Sequence, residues 1–483
     1  MLFGVTEYDD ATYFGSAVRL VHGVIPYRDF YLVQPPGLMV LLTPFAWLSD
    51  AIGTRYALGV TRAFMPLLAA ALVVLVGRLI RHKGVVATVA GCAALALYTD
   101  AITSSHTLLL EPILDLFLLL ALTVAVDQGR LVVSGNRALW AGVLVGVGGS
   151  VKLFAIAPAL VFAGLFVWRR AWPAFGRFVG GTAIGFGAVV GPFLALDPSG
   201  LIHQVIVIQL NRQLPVRTPL PFRLSHLLGL AGYSSNFMGR RAPLAAIVAV
   251  GALLVLVVAG GYLAAHRRRS RIRELDVFAV VTSVLVFVMF LVPAEFYYHY
   301  GDLLAPFLAL TFAAAVGGLV GVLPARVTAR ARPIAAGCGI LLAVALVGQL
   351  DGVSVLSGGD PSSSVDSVVP AGGCTISDSP ALLVTSDRLT SNVPGCPQIV
   401  DALGLALSLD NGASPAIRSS VTPALIRTWT RLLNEADYVV LSSAVRIHIP
   451  FFGSVKRLLA AKFSLLQEDG MRLYVRHGYP QNG

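Results

Sequence analysis

The sequence predicts an α-helical polytopic membrane protein with interfacial helices on its outer side and a small extracytoplasmic α/β domain at the C-terminus. Composition is the first ground. Of 483 residues, 56% are hydrophobic and 13% charged, with a mean hydropathy of +0.78, against roughly 45–50% and 25% in soluble domains. A chain this poor in charge needs lipid as the solvent for much of its surface. The other grounds are the alternation of apolar runs with short basic clusters and a change to polar sequence after residue 350.

Ten spans are expected, at 57–80, 84–99, 106–126, 138–150, 153–168, 178–196, 242–265, 276–292, 302–323 and 333–350, judged against the roughly 20 residues needed to cross. Several are short, and 138–168 reads either as a broken pair or as one long tilted element. Basic residues mark every second loop: Arg78, Arg81 and Lys83; Arg130 and Arg137; Arg169, Arg170 and Arg177; the run HRRRSRIR at 266–273; and Arg326, Arg330 and Arg332. These loops are the cytoplasmic ones by the positive-inside rule. Residues 1–56, the turns at 100–105 and 293–301, the loop 197–241 and everything beyond 350 therefore face outward. The net charge of +11 is thus a topology signal, and no nucleic-acid partner is expected. An outward N-terminus carries no signal that would export it, so a first span is expected upstream and Met1 is not expected to be the natural start.

Residues 351–373 are rich in Ser and Gly and read as a linker. In 374–483, ALLVTSD, ADYVVLSS and MRLYVRHG have the pattern of short strands, and TPALIRTWTRLLNEA that of an amphipathic helix. Cys374 and Cys396 lie in this outward tail, where thiols oxidise, and are expected to pair; two free thiols is the alternative. Cys92 and Cys338 sit inside spans as packing residues.

Polar groups crowd the outer face of the 57–350 helical domain. Residues 1–56 begin MLFGVTEYDDATYFG, with Glu7, Asp9 and Asp10 among aromatics. An interfacial helix is expected from Asp10 to His22, offering Tyr13, Phe14, Val18 and Val21 to the bilayer. PYRDFYLVQPPG then turns the chain, because consecutive prolines stop a helix. Residues 37–49 are short for a span and suit a second interfacial helix.

Asp9-Asp10 followed by Ala-Thr-Tyr-Phe, then Pro-Tyr-x-Asp-Phe and Gln-Pro-Pro-Gly, resembles the first outer loop of GT-C glycosyltransferases of the family 39 type, which includes protein O-mannosyltransferases and the lipid A aminoarabinose transferase. The resemblance extends to LLLEPILDLFLLLAL at 108–122, SVKLFAIAPALV at 150–161 and YYHYGDLLAPFLAL at 297–310. The chain departs from that pattern at Asp10, where family 39 usually has Glu, and at Gln34, where the aminoarabinose enzymes have Lys.

The resemblance implies an integral membrane enzyme of cell-envelope or cell-wall biosynthesis in a bacterial plasma membrane. It would move a sugar from a polyprenyl phosphate to a polysaccharide, glycolipid or protein acceptor at the extracytoplasmic face. An acceptor hydroxyl is a poor nucleophile until a carboxylate takes its proton, and the match to the first acid of the family pair gives that part to Asp9, with Asp10 its partner. Attack from behind inverts the anomeric carbon and expels polyprenyl phosphate, whose growing charge calls for cations or a metal. Lys152, Arg62, Arg55 and His299 are the candidate phosphate ligands. Lys152 reads equally as a residue snorkelling to headgroups, and His299 as part of an aromatic belt. Asp10, Asp29 and Glu111 are candidate supports or oxygen ligands for Mg or Mn, and Glu111, inside a span, needs a partner. The loop arginines 212, 217, 223, 240 and 241 either guide an anionic substrate or touch headgroups.

No phosphate loop precedes a helix, so no nucleotide cofactor is expected. The main rival reading is a transporter or lipid flippase, against which stand the gathering of acids at one face and the lack of matching halves. A non-catalytic scaffold is the third; it would tolerate free replacement of the Asp pair.

Overall fold

The computed structural model describes residues 2–212, 217–231, 243–267, 272–293, 295–322, 359–410, 412, 421–442, 449–451, 453–468 and 470–480. In chain order its helices are α1 (Tyr8–Val21), α2 (Gly37–Leu41), α3 (Thr43–Ile52), α4 (Thr54–Ile80), α5 (Val85–Ala96), α6 (Thr99–Ser104), α7 (Leu110–Ala125), α8 (Arg137–Val151), α9 (Ile156–Trp168), α10 (Trp172–Leu196), α11 (Pro198–Ile202), α12 (Ile208–Asn211), α13 (Leu220–Leu227), α14 (Leu244–Arg267), α15 (Glu274–Leu291) and α16 (Tyr300–Gly321). Nine of the ten expected spans fall on these helices, and 333–350 lies outside the described residues, as do Cys338 and the arginines 326, 330 and 332. Among the described residues five helices are long and apolar enough to cross a membrane: Thr54–Lys83, Trp172–Leu196, Leu244–Arg267, Glu274–Leu291 and Tyr300–Gly321. Residues 138–168 form a broken pair. Lys152 is extended (φ −152°, ψ 133°) and parts α8 from the single 3-10 turn Leu153–Ala155 that leads into α9.

The chain divides into two compact units, 64–189 with 218–356, and 1–63 with 190–217 and 357–483. The first of these is the helical unit. Its core places Leu114, Leu118 and Leu122 of α7, at helical spacing, among Val145, Phe162, Phe278 and Leu310 of the neighbouring helices. Helices α8 and α10 meet through four glycines. A Cβ on Gly142 or Gly146 would stand 2.1 or 2.2 Å from a carbonyl oxygen of α10, and one on Gly181 or Gly185 equally close to α8. Each pair is spaced four apart, so the helix backbones touch where side chains would hold them off.

The other unit joins the first and last parts of the chain. Helix α1 packs on α3 and on the helix Pro380–Val384, which buries Tyr13, Phe14 and Val18 in protein. The expectation that these side chains face the bilayer is therefore corrected: the apolar face of α1 is covered by the C-terminal region. Tyr8 donates its hydroxyl to Asp401 (2.9 Å) and accepts the N–H of Leu403. Arg19 donates to the carbonyl of Leu389 and Val5 to that of Gly359. Gln204, in a π-helical turn after α11, is bonded to both Tyr27 and Leu32 and fixes the outer loop.

A four-stranded sheet completes this unit in the order β3-β4-β6-β5, after a separate short hairpin, β1 (Val126–Asp127) with β2 (Arg130–Leu131), in the helical unit. Strand β3 (Thr375–Ser377) runs parallel to the central β4 (Tyr438–Ser442), and β6 (Met471–Arg476) is antiparallel to both β4 and β5 (Phe463–Glu468). The helix Pro423–Glu435 buries Leu425, Trp429, Leu432 and Leu433 at helical spacing and is capped by the Thr422 hydroxyl. ALLVTSD, expected as a strand, is helical over Pro380–Val384, because Pro380 opens a helix at its first turn. Residues 362–366, within the expected linker, form a short helix. Cys374 and Cys396 are joined by a disulfide, with Cα atoms 5.5 Å apart.

Replacing Gly146 by Leu forces the backbone of α10 at Thr182 away. We expect a loss of about 3 kcal/mol or more, the upper range for overpacking, seen as a lowered melting temperature of the purified protein in detergent.

Candidate functional site

Three chain segments of the helical unit converge on Glu111. It stands in the first turn of α7, where the helix dipole favours a carboxylate. Lys152, at the C-terminal break of α8, bonds to its Oε1. His299, the residue before α16, meets the same oxygen through Nδ1 at 2.8 Å. All three side chains are buried, Glu111 completely. The ammonium also lies 4.4 Å from the ring centre of Tyr300 and 4.8 Å from that of Phe154, close enough for both rings to stabilise it. Oε2 of Glu111 is buried with no hydrogen-bond partner among the described residues.

More acids surround this cluster. Asp115, one turn after Glu111, is fully buried with neither carboxylate oxygen hydrogen-bonded among the described residues, and Asp302, in the first turn of α16, is buried beside them. Asp100 meets Nδ1 of His226 at 2.8 Å, and burial raises its carboxyl above the usual range.

In the other unit the acidic pair is split. Asp10 is fully buried, and its Oδ2 accepts from Thr6 (2.7 Å) and from Nε and Nη2 of Arg62 (3.0 and 2.6 Å). Nη1 of the same guanidinium donates to the carbonyls of Leu2 and Gly4. Asp9 is only partly buried, with the Tyr13 hydroxyl 3.4 Å from its Oδ2.

The model of Glycosyltransferase family 87 matches residues 32–294, more than half of the chain. The chain belongs to glycosyltransferase family 87. Its fold is similar to that of ArnT from Cupriavidus metallidurans, solved with undecaprenyl phosphate (TM-score 0.63, 13% identity, 98% of this chain and 94% of that one) and in the apo state (TM-score 0.60, 14% identity, 98% and 93%). It is also similar to the apo oligosaccharyltransferase of Archaeoglobus fulgidus (TM-score 0.51, 12% identity, 99% and 71%). No protein of curated function matches in sequence. The GT-C superfamily of membrane glycosyltransferases is thus the one the motifs indicated, with family 87 in place of the family 39 type.

Within this family 87 chain, two of the expected phosphate ligands have other work. Arg62 is the counter-ion of Asp10, and Arg55 pairs with Asp360 and Ser362 while its backbone N–H donates to Asp387. Asp29 is bonded to Arg28 and to the N–H of Ile25, and Arg28 holds its carboxyl below the usual range. Arg223, expected in a solvated basic loop, is buried in α13 and donates to the carbonyls of Thr218, Phe290 and Pro293. Arg240 and Arg241 lie outside the described residues.

The acids proposed from sequence do not suit a divalent ion as they stand. Among the described residues no three His, Cys, Asp or Glu side chains are grouped to hold a metal, and cationic side chains face Asp10, Asp29 and Glu111 where Mg or Mn would sit. Asp100, Asp115, Asp302 and His226 were not singled out from sequence. Their signal was present in two of the four, since Asp115 follows Glu111 by one helical turn and Asp302 follows His299 by three residues.

Removing one partner of a buried ion pair leaves the other uncompensated. Arg62→Ala should cost about 3–5 kcal/mol in a thermal melt, and Arg62→Ala/Asp10→Asn together less than Arg62→Ala alone. Glu111→Gln should lower stability by a similar amount, seen as a lowered melting temperature in the same assay.

Proposed function

We propose that the chain transfers a sugar from a polyprenyl-phosphate donor to a cell-envelope acceptor at the extracytoplasmic face of a bacterial plasma membrane, inverting the anomeric carbon, with Asp9 as general base. The observation that carries the assignment is the splitting of the acidic pair. Asp10 is sealed against Arg62 and cannot reach an acceptor hydroxyl, whereas Asp9, its neighbour on the first turn of α1, is partly exposed. The ion pair fixes that turn, so the base is held in place by a residue that does not itself react.

The balance of the step is simple. The acceptor hydroxyl gives its proton to Asp9, its oxygen bonds to the anomeric carbon, and the bond from that carbon to the phosphate oxygen breaks. Polyprenyl phosphate leaves with the electron pair. Lys152 and His299 are the groups proposed to meet that growing charge. Glu111 aims both, and fixed donors in a low-dielectric site stabilise a leaving phosphate far better than they would in water. The acceptor is a polysaccharide, a glycolipid or a protein. Support for a lipid-linked donor comes from the fold neighbour solved with undecaprenyl phosphate, and from five helices among the described residues that are long and apolar enough to cross a membrane.

Asp9→Asn should retain insertion and folding but lower transfer of radiolabelled sugar from polyprenyl phosphate in membranes by about 10²–10⁴-fold, the usual contribution of a general base. Asp9→Asn with undiminished transfer would remove Asp9 from the reaction.

A further inference from the structure

A cavity of about 90 Å³ opens at the opposite end of the helical unit from Glu111. Helix α7 carries Glu111 in its first turn and reaches this cavity with Thr123 at its last, about 20 Å away at 1.5 Å per residue. Helix α8 likewise has Arg137 at the cavity and Lys152 beyond its far end. The cavity is therefore separate from the Glu111 cluster.

Its lining is strongly basic. Arg78, Arg81, His82 and Arg137 face it, with Asp127 the one acid. Nearby cations are already paired: Lys83 with Asp276 and Arg169 with Glu274, while Arg273 donates to the carbonyl of Gln128. Arg78, Arg81 and Arg137 take part in no ion pair among the described residues. Nδ1 of His82 is bonded to the Leu79 carbonyl, and its Nε2 is buried without a hydrogen-bond partner among the described residues. The hairpin β1–β2 closes the cavity, and its turn depends on Gly129 (φ 76°), where a Cβ would stand 2.7 Å from the His82 ring. A volume of about 90 Å³ is room for several waters or for one phosphate group.

The outer surface of α4 leads to this cavity. Phe64, Leu67 and Val74 are exposed by 51, 66 and 68% and, with Arg78, follow one another at helical spacing on one face. An acyl chain lying along that stripe brings its phosphate to the arginines.

We propose that the cavity binds the phosphate of an anionic phospholipid headgroup, in the leaflet that the positive-inside pattern assigns to the cytoplasm, through Arg78, Arg81 and Arg137. The test reconstitutes the full chain in nanodiscs of mixed phosphatidylglycerol and phosphatidylcholine, extracts it into detergent, and counts retained lipids by native mass spectrometry. Wild type should retain phosphatidylglycerol over phosphatidylcholine, and inorganic phosphate should not displace it. Arg78→Ala/Arg81→Ala should lower that preference by roughly 30-fold, from about a fivefold effect per surface cation. Arg78→Lys/Arg81→Lys should keep most of it and serves as the folded control. Arg169→Ala/Arg170→Ala, which removes basic residues of the same side that do not line the cavity, should leave it intact. An equal loss in that last variant, or no preference in wild type, overturns the proposal. Inorganic phosphate that binds wild type but not Arg78→Ala/Arg81→Ala, without any lipid preference, would overturn the lipid as the source and leave a soluble phosphate compound in its place.

Discussion

A carboxylate removed from water must be given cations or remain an expense of several kcal/mol, and that requirement organises both units. Asp10 draws Arg62 from 52 residues away and, through the same guanidinium, fixes the carbonyls of Leu2 and Gly4. Glu111 draws Lys152 and His299 from 41 and 188 residues away. In the second case the cations come from helix ends, Lys152 at the break after α8 and His299 just before α16. The extended backbone at Lys152 is the clearest instance: had α8 simply continued into α9, the ammonium would have turned with the helix instead of ending at its break.

The two groups differ in how their charges are met. Asp10 and Arg62 satisfy each other and leave little reactivity behind, as suits a support. The Glu111 group differs, since a single carboxylate oxygen meets both a lysine and a histidine, with aromatic rings packed against the ammonium. Both donors go to one oxygen, and the other carboxylate oxygen has no hydrogen-bond partner among the described residues.

Much of this was legible in the sequence, for identifiable reasons. Long apolar runs locate helices because lipid tolerates little else, and expected spans coincide with α4, α5, α7, α8, α9, α10, α14, α15 and α16. Glu111, Lys152 and His299 could be chosen because ionisable groups at the ends of spans are costly. That they meet on one oxygen could not, because sequence does not give the rotation of a helix about its axis. Arginines 55 and 62 were read as ligands of a donor phosphate, and their pairing with Asp360 and Asp10 could not be read from sequence because those partners lie 305 and 52 residues away. Helix α1 was misread for a related reason: Tyr13 and Phe14 suit lipid and protein interiors alike, and what covers them lies some 370 residues further on. ALLVTSD failed as a strand because a short apolar run does not declare its period.

The union of the two chain ends has a consequence for the order of synthesis. Tyr8 finds Asp401 and Leu403 only 393 and 395 residues later. At about 5–20 residues per second, the nascent α1 waits roughly 20–80 seconds for the segment that covers Phe14 and Val18. During that interval the face of α1 that the helix Pro380–Val384 will cover is without that cover.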